Sequence, residues 1–347
     1  MFCLLSLSFA AAGQYKLKSK AELLADYNLV LEESFDTISH PSQLGDKWQF
    51  TGDSFNASSG GGEYYPDPTT TNWENMELRA EGATRFLRLK ATLIDSTAAD
   101  FNRIEVYPDP FDPAKKNRIA KFRSAMLMTK RGSGPPVFDP PCTPNDNPGG
   151  YSRGFLYGIF QIRMRLDKRP TYSAFWLWGE PPHSGSWPAS LQVNMFEGKD
   201  YQFSTTRRFG IGYDDEADKF VPHRGQNNWV EKNGSTDLAD DFHVYTGVWT
   251  PTEISFFLDD DKIVTYNDST IMSKYNRCPA ELIVSLQMWP WYTQPADLDV
   301  DYIRVYKPKN SPTEFPAYEV DKSAEYRGFF RRLQQLLTPA PFSIVTD

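Results

Sequence analysis

The segment Leu191-Gln-Val-Asn-Met-Phe-Glu197 gathers side chains that could do chemistry within a few positions. On a strand, side chains alternate, so Gln192 and Asn194 share one face while Leu191, Val193 and Met195 take the other. Glu197 is five positions from Gln192 and would fall on the opposite face. A bulge at Met195–Phe196 would return it to the side of Gln192 and Asn194, and bulges are common beside functional sites. With the bulge, one carboxyl and two carboxamides stand in a row. The carboxyl can give or take a proton; the amides can only hydrogen-bond. The plainer alternative is a strand with an ordinary polar solvent face.

Aromatic side chains accompany this strand. Tyr172-Ser-Ala-Phe-Trp-Leu-Trp-Gly179 puts Trp176 and Trp178 on one face, and Gln287, Trp289, Trp291 and Tyr292 form a second cluster late in the chain. Indole rings offer a flat apolar face and an N–H, which suits them to stacking on sugar rings, but they serve equally as core. His243 and His223 fit structural or hydrogen-bonding roles better than a catalytic base.

These residues need a scaffold of strands. Short apolar stretches between Gly, Pro, Asn and Asp turns recur from about residue 26 to 307. Among them are Phe86–Ala91, Ser124–Thr129, Gly158–Leu166, Ser173–Trp178, Phe242–Trp249, Leu282–Met288 and Leu298–Tyr306. No long helices intervene, so the pattern predicts an all-β antiparallel sandwich. Ile254–Leu258 and Lys262–Tyr266, joined by the acidic Asp259–Asp261, read as a hairpin. Ser19-Lys-Ala-Glu22 is a capping box for a short helix. Residues 95–120 and 131–152 read as long loops. Residues 308–347 form a C-terminal extension, with Lys322–Leu337 a candidate amphipathic helix.

Composition narrows the function. The chain has 45 acidic and 37 basic residues, a net charge of −8, which argues against nucleic acid as a partner. Four histidines leave little for a histidine-built metal site. Nine Trp, 18 Tyr and 24 Phe are more than packing alone needs. Residues 1–13 read as a secretory leader, and no later run is long and apolar enough for membrane insertion. A secreted, extracellular monomer is expected. Cys142 and Cys278 could form one long-range disulfide, although spacing does not pair them. Asn56-Ala-Ser, Asn233-Gly-Ser and Asn267-Asp-Ser are glycosylation sequons close to the number chance supplies.

Taken together, these segments resemble glycoside hydrolase family 16, which comprises laminarinases, lichenases, agarases, carrageenases and transglycosylases. Asn75-Met-Glu-Leu-Arg, Tyr157-Gly-Ile-Phe-Gln-Ile-Arg163, the Ala-Phe-Trp of residues 174–176, Phe242–Trp249 and Asp299-Val-Asp-Tyr-Ile-Arg-Val-Tyr306 resemble its strands in order. The resemblance implies a concanavalin-type jelly roll with a sugar groove over one sheet. It also implies a retaining mechanism on Glu-x-Asp-x-x-Glu: nucleophile, helper, acid/base. Here that hexad reads Gln192-Val-Asn194-Met-Phe-Glu197.

By resemblance, then, Glu197 holds the acid/base position, Gln192 the nucleophile position and Asn194 the helper position, the last two altered. A neutral amide is a poor nucleophile and cannot offset an oxocarbenium charge. Retention needs two carboxyls about 5–5.5 Å apart. Glu→Gln and Asp→Asn keep shape and hydrogen bonding, which is compatible with binding a polysaccharide or oligosaccharide through Trp176, Trp178, Gln287, Trp289, Trp291 and His243. The expected protein is a secreted carbohydrate binder with hydrolysis impaired or lost. One alternative is an active hydrolase pairing Glu197 with Glu180, Asp200, Asp214 or Asp215; another is a structural or interaction sandwich. No cofactor is expected, apart from a structural calcium of the kind family members carry, for which Asp259–Asp261 and Asp297–Asp301 could supply oxygens.

Overall fold

Helix α1 (Lys20–Asp26) begins at the capping box. Ser19 Oγ accepts from the Glu22 amide at 3.2 Å, and Glu22 Oε2 accepts from the Ser19 amide at 2.6 Å. In the computed structural model the described residues are 17–50, 54–55, 62–69, 71–95, 120–129, 154–179, 192–198, 206–212, 229–233, 237–259, 261–269, 272, 280–310, 316 and 318; for 54–55, 206–212 and 229–233 the description is of the backbone. The leader, Cys142, Cys278, Glu180, Asp200, Asp214, Asp215, His223 and the 322–337 segment lie outside them.

Strands follow the helix: β1 (Tyr27–Glu33), β2 (Trp48–Gln49), β3 (Ser54–Phe55), β4 (Glu63–Tyr65), β5 (Met76–Glu81), β6 (Thr84–Leu93), β7 (Phe122–Arg123), β8 (Met126–Thr129) and β9 (Gly158–Arg165). Next come β10 (Tyr172–Gly179), β11 (Gln192–Glu197), β12 (Thr206–Gly212), β13 (Trp229–Asn233), β14 (His243–Trp249), β15 (Ile254–Leu258), β16 (Asp261–Tyr266), β17 (Ala280–Gln287) and β18 (Ala296–Pro308). One sheet has the order β16-β15-β14-β9-β18-β6-β7-β4-β3, with β1 also on β18 and β5 on β6; the other runs β13-β12-β11-β10-β17-β8-β2. The short β4–β7 pair is parallel, whereas the pairs that build the site are antiparallel. The fold is an all-β jelly-roll sandwich.

Period-two patterning explains which sides meet. In β9, Phe160, Ile162 and Met164 are buried in the main core, while Gln161, Arg163 and Arg165 alternate with them. In β10, Phe175 and Leu177 turn inward; in β17, Leu282, Val284 and Leu286 do. The sheets touch where Phe196 of β11 meets Tyr245 of β14, rings edge to face at 4.8 Å between centroids. Each fully buried Leu or Phe of this layer contributes about 1.5–3 kcal/mol.

A second cluster lies on the outer side of the larger sheet. There Leu23 of α1 and Tyr27 pack with Val248, Phe257 and Tyr318. The Tyr27 hydroxyl donates to Pro316 O at 2.6 Å. Residues 23 and 27 near the start of the described chain are thereby joined to residues 316 and 318.

The acidic segments take a different role from the one expected of a calcium site. Asp297–Asp301 lies within strand β18, not in a turn. Asp299 accepts from Arg88 Nε at 2.7 Å and Arg165 Nη2 at 2.9 Å, and Arg163 bonds Asp301. Carboxylates already committed to guanidinium forks are not presented to a cation. Asp259, at φ 49°, accepts from the Val244 amide at 2.8 Å and lies 2.7 Å from His243 Nδ1. Among the described residues no group of three or more His, Cys, Asp or Glu could hold a metal.

Candidate functional site

Strand β11 carries the irregularity that the spacing of its polar residues requires. Opposite β10, Asn194 pairs with Trp176 and Phe196 with Phe175, so Met195 is the extra residue. Val193, Met195 and Phe196 all enter the core, and the two adjacent inward residues are what the bulge produces. Glu197 then returns to the side of Gln192 and Asn194. Gly247 of β14 makes room for the bulge: a Cβ there would stand 2.2 Å from Met195 Cγ.

The three side chains form a hydrogen-bonded row. Gln192 Nε2 donates to Asn194 Oδ1 at 3.2 Å, and Asn194 Nδ2 donates to Glu197 Oε2. The Tyr172 hydroxyl donates to Glu197 Oε1. Asn194 and Glu197 are buried, 1% and 5% exposed, and Gln192 is half-buried. Both oxygens of the buried carboxyl face donors, an arrangement that suits an acceptor carboxylate. Chemically, the row holds one group with proton-transfer capacity and two with none.

Register places the aromatic residues beside it. Across β11, β10 and β17, Gln192, Trp178 and Glu281 form one line of Cα partners; Asn194, Trp176 and Ile283 form the next; Glu197, Ala174 and Ser285 the third. Trp176 and Trp178 have centroids 6.2 Å apart, tilted by 34°, and both are partly exposed. Ser285 Oγ orients two members, accepting from Trp176 Nε1 at 3.3 Å and from Gln287 Nε2 at 3.1 Å.

The late aromatic cluster joins through Tyr172, whose ring meets Trp289 at 5.0 Å. Trp289 stacks on Trp291 at 4.6 Å with planes 11° apart, and Trp291 is 49% exposed. Backbone contacts fix this segment. The Gly62 amide donates to Met288 O at 2.6 Å, and a Cβ on Gly62 would lie 2.7 Å from Pro290 backbone atoms. Glu63, fully buried, accepts from the Met288 amide at 3.0 Å and the Tyr65 hydroxyl at 3.2 Å. Burial, with the Glu63 carboxylate beside it, pushes the Tyr65 hydroxyl well above its usual range. Lys121 Nζ donates to the carbonyls of Pro290 and Tyr292.

The structure thus gathers Gln192, Asn194, Glu197, Trp176, Trp178, Gln287 and, through Tyr172, Trp289 and Trp291. It does not gather His243. That residue begins β14 on the other sheet, paired with Met164 of β9 and bound to Asp259, so it belongs to a hairpin contact and not to this face. Tyr172 and Ser285 were absent from the residues singled out by sequence. Their parity was readable: Tyr172 shares that of Trp176 and Trp178, and Ser285 that of Gln287.

Comparison with known proteins points the same way. The family model for glycosyl hydrolases family 16 matches residues 150–304, a little under half of the chain. A beta-glucanase from Rhodothermus marinus is 27% identical over 178 residues, 44% of this chain and 58% of that protein. The matched stretch is 38% and 30% of the length of two further curated relatives. The laminarinase catalytic domain from Thermotoga maritima MSB8 superposes with a TM-score of 0.54 at 20% identity, covering 82% of this chain and all of that one. A LamA variant from Z. galactanivorans, in complex with laminaritriose and laminaritetraose, gives 0.54 at 19% identity over 81% of this chain and 99% of that one. The fold is that of family 16 laminarinases. Among the described residues no helix is long and apolar enough to cross a membrane.

Proposed function

We propose that this protein binds a β-linked polysaccharide or oligosaccharide, outside the cell, in a groove on the open face of the β10–β11–β17 sheet, and that retaining hydrolysis is impaired or lost. The observation that carries the reading is the row Gln192–Asn194–Glu197, bordered by Trp176 and Trp178. Its shape is that of a site for a sugar, and its charge is wrong for cleaving one. The first step of retention needs a carboxylate to attack the anomeric carbon while a second carboxyl protonates the leaving oxygen. At the attacking position Gln192 offers a carboxamide, whose nitrogen lone pair is delocalised and which bears no charge to offset the oxocarbenium ion. Glu197, accepting from Asn194 and Tyr172, is held as a hydrogen-bond acceptor that suits a sugar hydroxyl.

Glu281 shares the face but stands well apart from Glu197. It stands two strands across and about four residues along from Glu197, roughly 16 Å between backbones at ordinary strand spacing. Either glycosidase geometry requires about 5–9.5 Å between carboxyls. The ligand class is supported by the laminari-oligosaccharides in the Z. galactanivorans complex, and the indole faces suit a β-glucan.

The test is calorimetric titration of the full chain with laminarin, mixed-linkage glucan and sulfated galactan oligosaccharides, alongside reducing-end release. Binding without turnover is expected, with Trp176→Ala and Trp178→Ala each losing binding. Turnover well above background would restore the active-hydrolase alternative, and no binding to any glycan would leave the interaction sandwich.

A further inference from the structure

The line of Cα partners that begins at Glu197 runs past Ala174 and Ser285 to Met126 of β8, three strands away and about 14 Å at ordinary strand spacing. Ala125 and Leu127, on either side of Met126, enter the core, so Met126 is turned to the side that carries Ser285 and the row. Met126 also lines a recess of about 280 Å³, counting the space open to solvent at its mouth. Phe50, Pro66, Pro68 and Met76 make the recess largely apolar, and among the described residues none that lines it is charged.

One polar group of this wall is unsatisfied. Asn75 is 4% exposed, and its Nδ2 donates to Lys90 O at 2.9 Å, Arg123 O at 3.2 Å and Thr92 Oγ1 at 3.3 Å. None of those three residues lines the recess, whereas Asn75 does, so the amide turns its nitrogen away from the recess and its oxygen toward it. Among the described residues Asn75 Oδ1 meets no donor. The hydroxyls of the same wall are engaged elsewhere: Ser124 donates to Leu286 O, Tyr65 to Glu63 and Thr71 to Asp67 O. A buried acceptor without a donor is costly to keep, and it marks a place where a donor is to be bound. The loop that supplies Pro68, Thr71 and Asn75 is held in shape, with Asn72 and Trp73 at φ 51° and 63° and the Trp73 ring edge to face with Phe50 at 4.9 Å.

We propose that the recess is a distal subsite for a neutral hexose unit, taking its exocyclic hydroxymethyl group with the hydroxyl donating to Asn75 Oδ1. This rests on the sugar groove proposed above and adds a second anchor to it. A hydroxymethyl group joins one donor to a short apolar stem, which matches one acceptor among apolar walls. A sulfate or carboxylate in its place brings no donor at neutral pH and puts a charge in an apolar recess without a counter-charge. A glycan must span about 14 Å to fill row and recess together, three strand spacings, so a disaccharide at the row leaves the recess empty.

The test is calorimetric titration of the full chain with laminaribiose and laminarihexaose. Met126→Trp, which fills the mouth of the recess, should weaken laminarihexaose by about threefold to tenfold, the worth of one neutral hydrogen bond, and leave laminaribiose unchanged. The preference for laminarihexaose over the same hexaose oxidised at C6 to uronate should narrow in that variant. In crystals of the unaltered protein with laminarihexaose, a hydroxymethyl oxygen within hydrogen-bonding distance of Asn75 Oδ1 is expected; a water alone there overturns the proposal. If laminaribiose binding depends on Trp176 while laminarihexaose ignores Met126→Trp, the recess reading falls and the groove reading stands. Binding of neither sugar overturns the recess reading, and the other glycans titrated above then decide the groove.

Discussion

Replacing Gly247 by Ala tests how the smaller sheet's row is held by the larger sheet. The added Cβ would meet Met195 Cγ at 2.2 Å and Sδ at 3.0 Å. Carbon atoms rest about 3.5–4.0 Å apart, so the overlap is roughly 1.5 Å. Cγ lies near the root of the side chain, so rotating the far end of Met195 does not relieve the clash. The whole side chain must leave its slot, and Met195 is the bulged residue that sets the side on which Glu197 emerges. Overpacking of this kind costs about 1–3 kcal/mol. Met195→Ala alone should cost about 2–5 kcal/mol through the cavity it leaves. In the double variant the new methyl occupies part of that cavity, so the pair should cost at least ~1 kcal/mol less than the sum of the singles. Urea unfolding of the four proteins measures the coupling, and calorimetry should show weakened oligosaccharide binding in Gly247→Ala. Additivity within about 0.5 kcal/mol would refute the shared slot, because contacting residues do not behave independently.

The remaining predictions concern the row and one buried amine. Gln192→Glu should raise reducing-end release at least about 100-fold over the unaltered chain, the low end of what a placed proton-transfer or nucleophilic group supplies; an unchanged rate would show that neutrality at this position is not what limits hydrolysis. Tyr172→Phe removes a donor from the Glu197 carboxylate and should destabilise the fold by about 1.5–3 kcal/mol in urea unfolding, with weaker oligosaccharide binding in calorimetry. Lys307 Nζ is buried against the Leu156 and Tyr157 carbonyls, and burial pushes its amine down to about 8 from 10.5. Between those values the unfolded chain binds more protons than the folded one, so unfolding free energy should climb from pH 8 to pH 10 by up to about 1.4 kcal/mol per unit. Lys307→Met should flatten that slope. Tyr27 and Tyr306, pushed by burial up to about 12, act in the reverse sense only above pH 10.

Much of the architecture was legible in the chain. Alternation along Gly158–Arg165, Tyr172–Gly179 and Ala280–Gln287 marks the side that enters the core between the sheets, because side-chain direction on a strand is local geometry. The helix start was equally local, two hydrogen bonds within Ser19–Glu22. Strands such as β2, β3 and β7, two residues each, have no periodicity to read and exist because a neighbour pairs with them. His243 shows the opposite failure. Its residue type suited a site, but its place was set by β14 pairing with β9 on the far sheet.

By itself the sequence determined the composition of the row: Gln at 192, Asn at 194 and Glu at 197, hence one carboxyl beside two carboxamides. Only tertiary structure decided that the three share a face. The bulge at Met195 is stabilised by a slot over Gly247, fifty-two residues away in the chain and on the other sheet. It likewise decided that Trp289 reaches Glu197 through Tyr172, since the 288–292 segment is held by Gly62, Glu63 and Lys121. Residue chemistry is written in the chain, whereas register and packing depend on which distant surfaces fill one another's space.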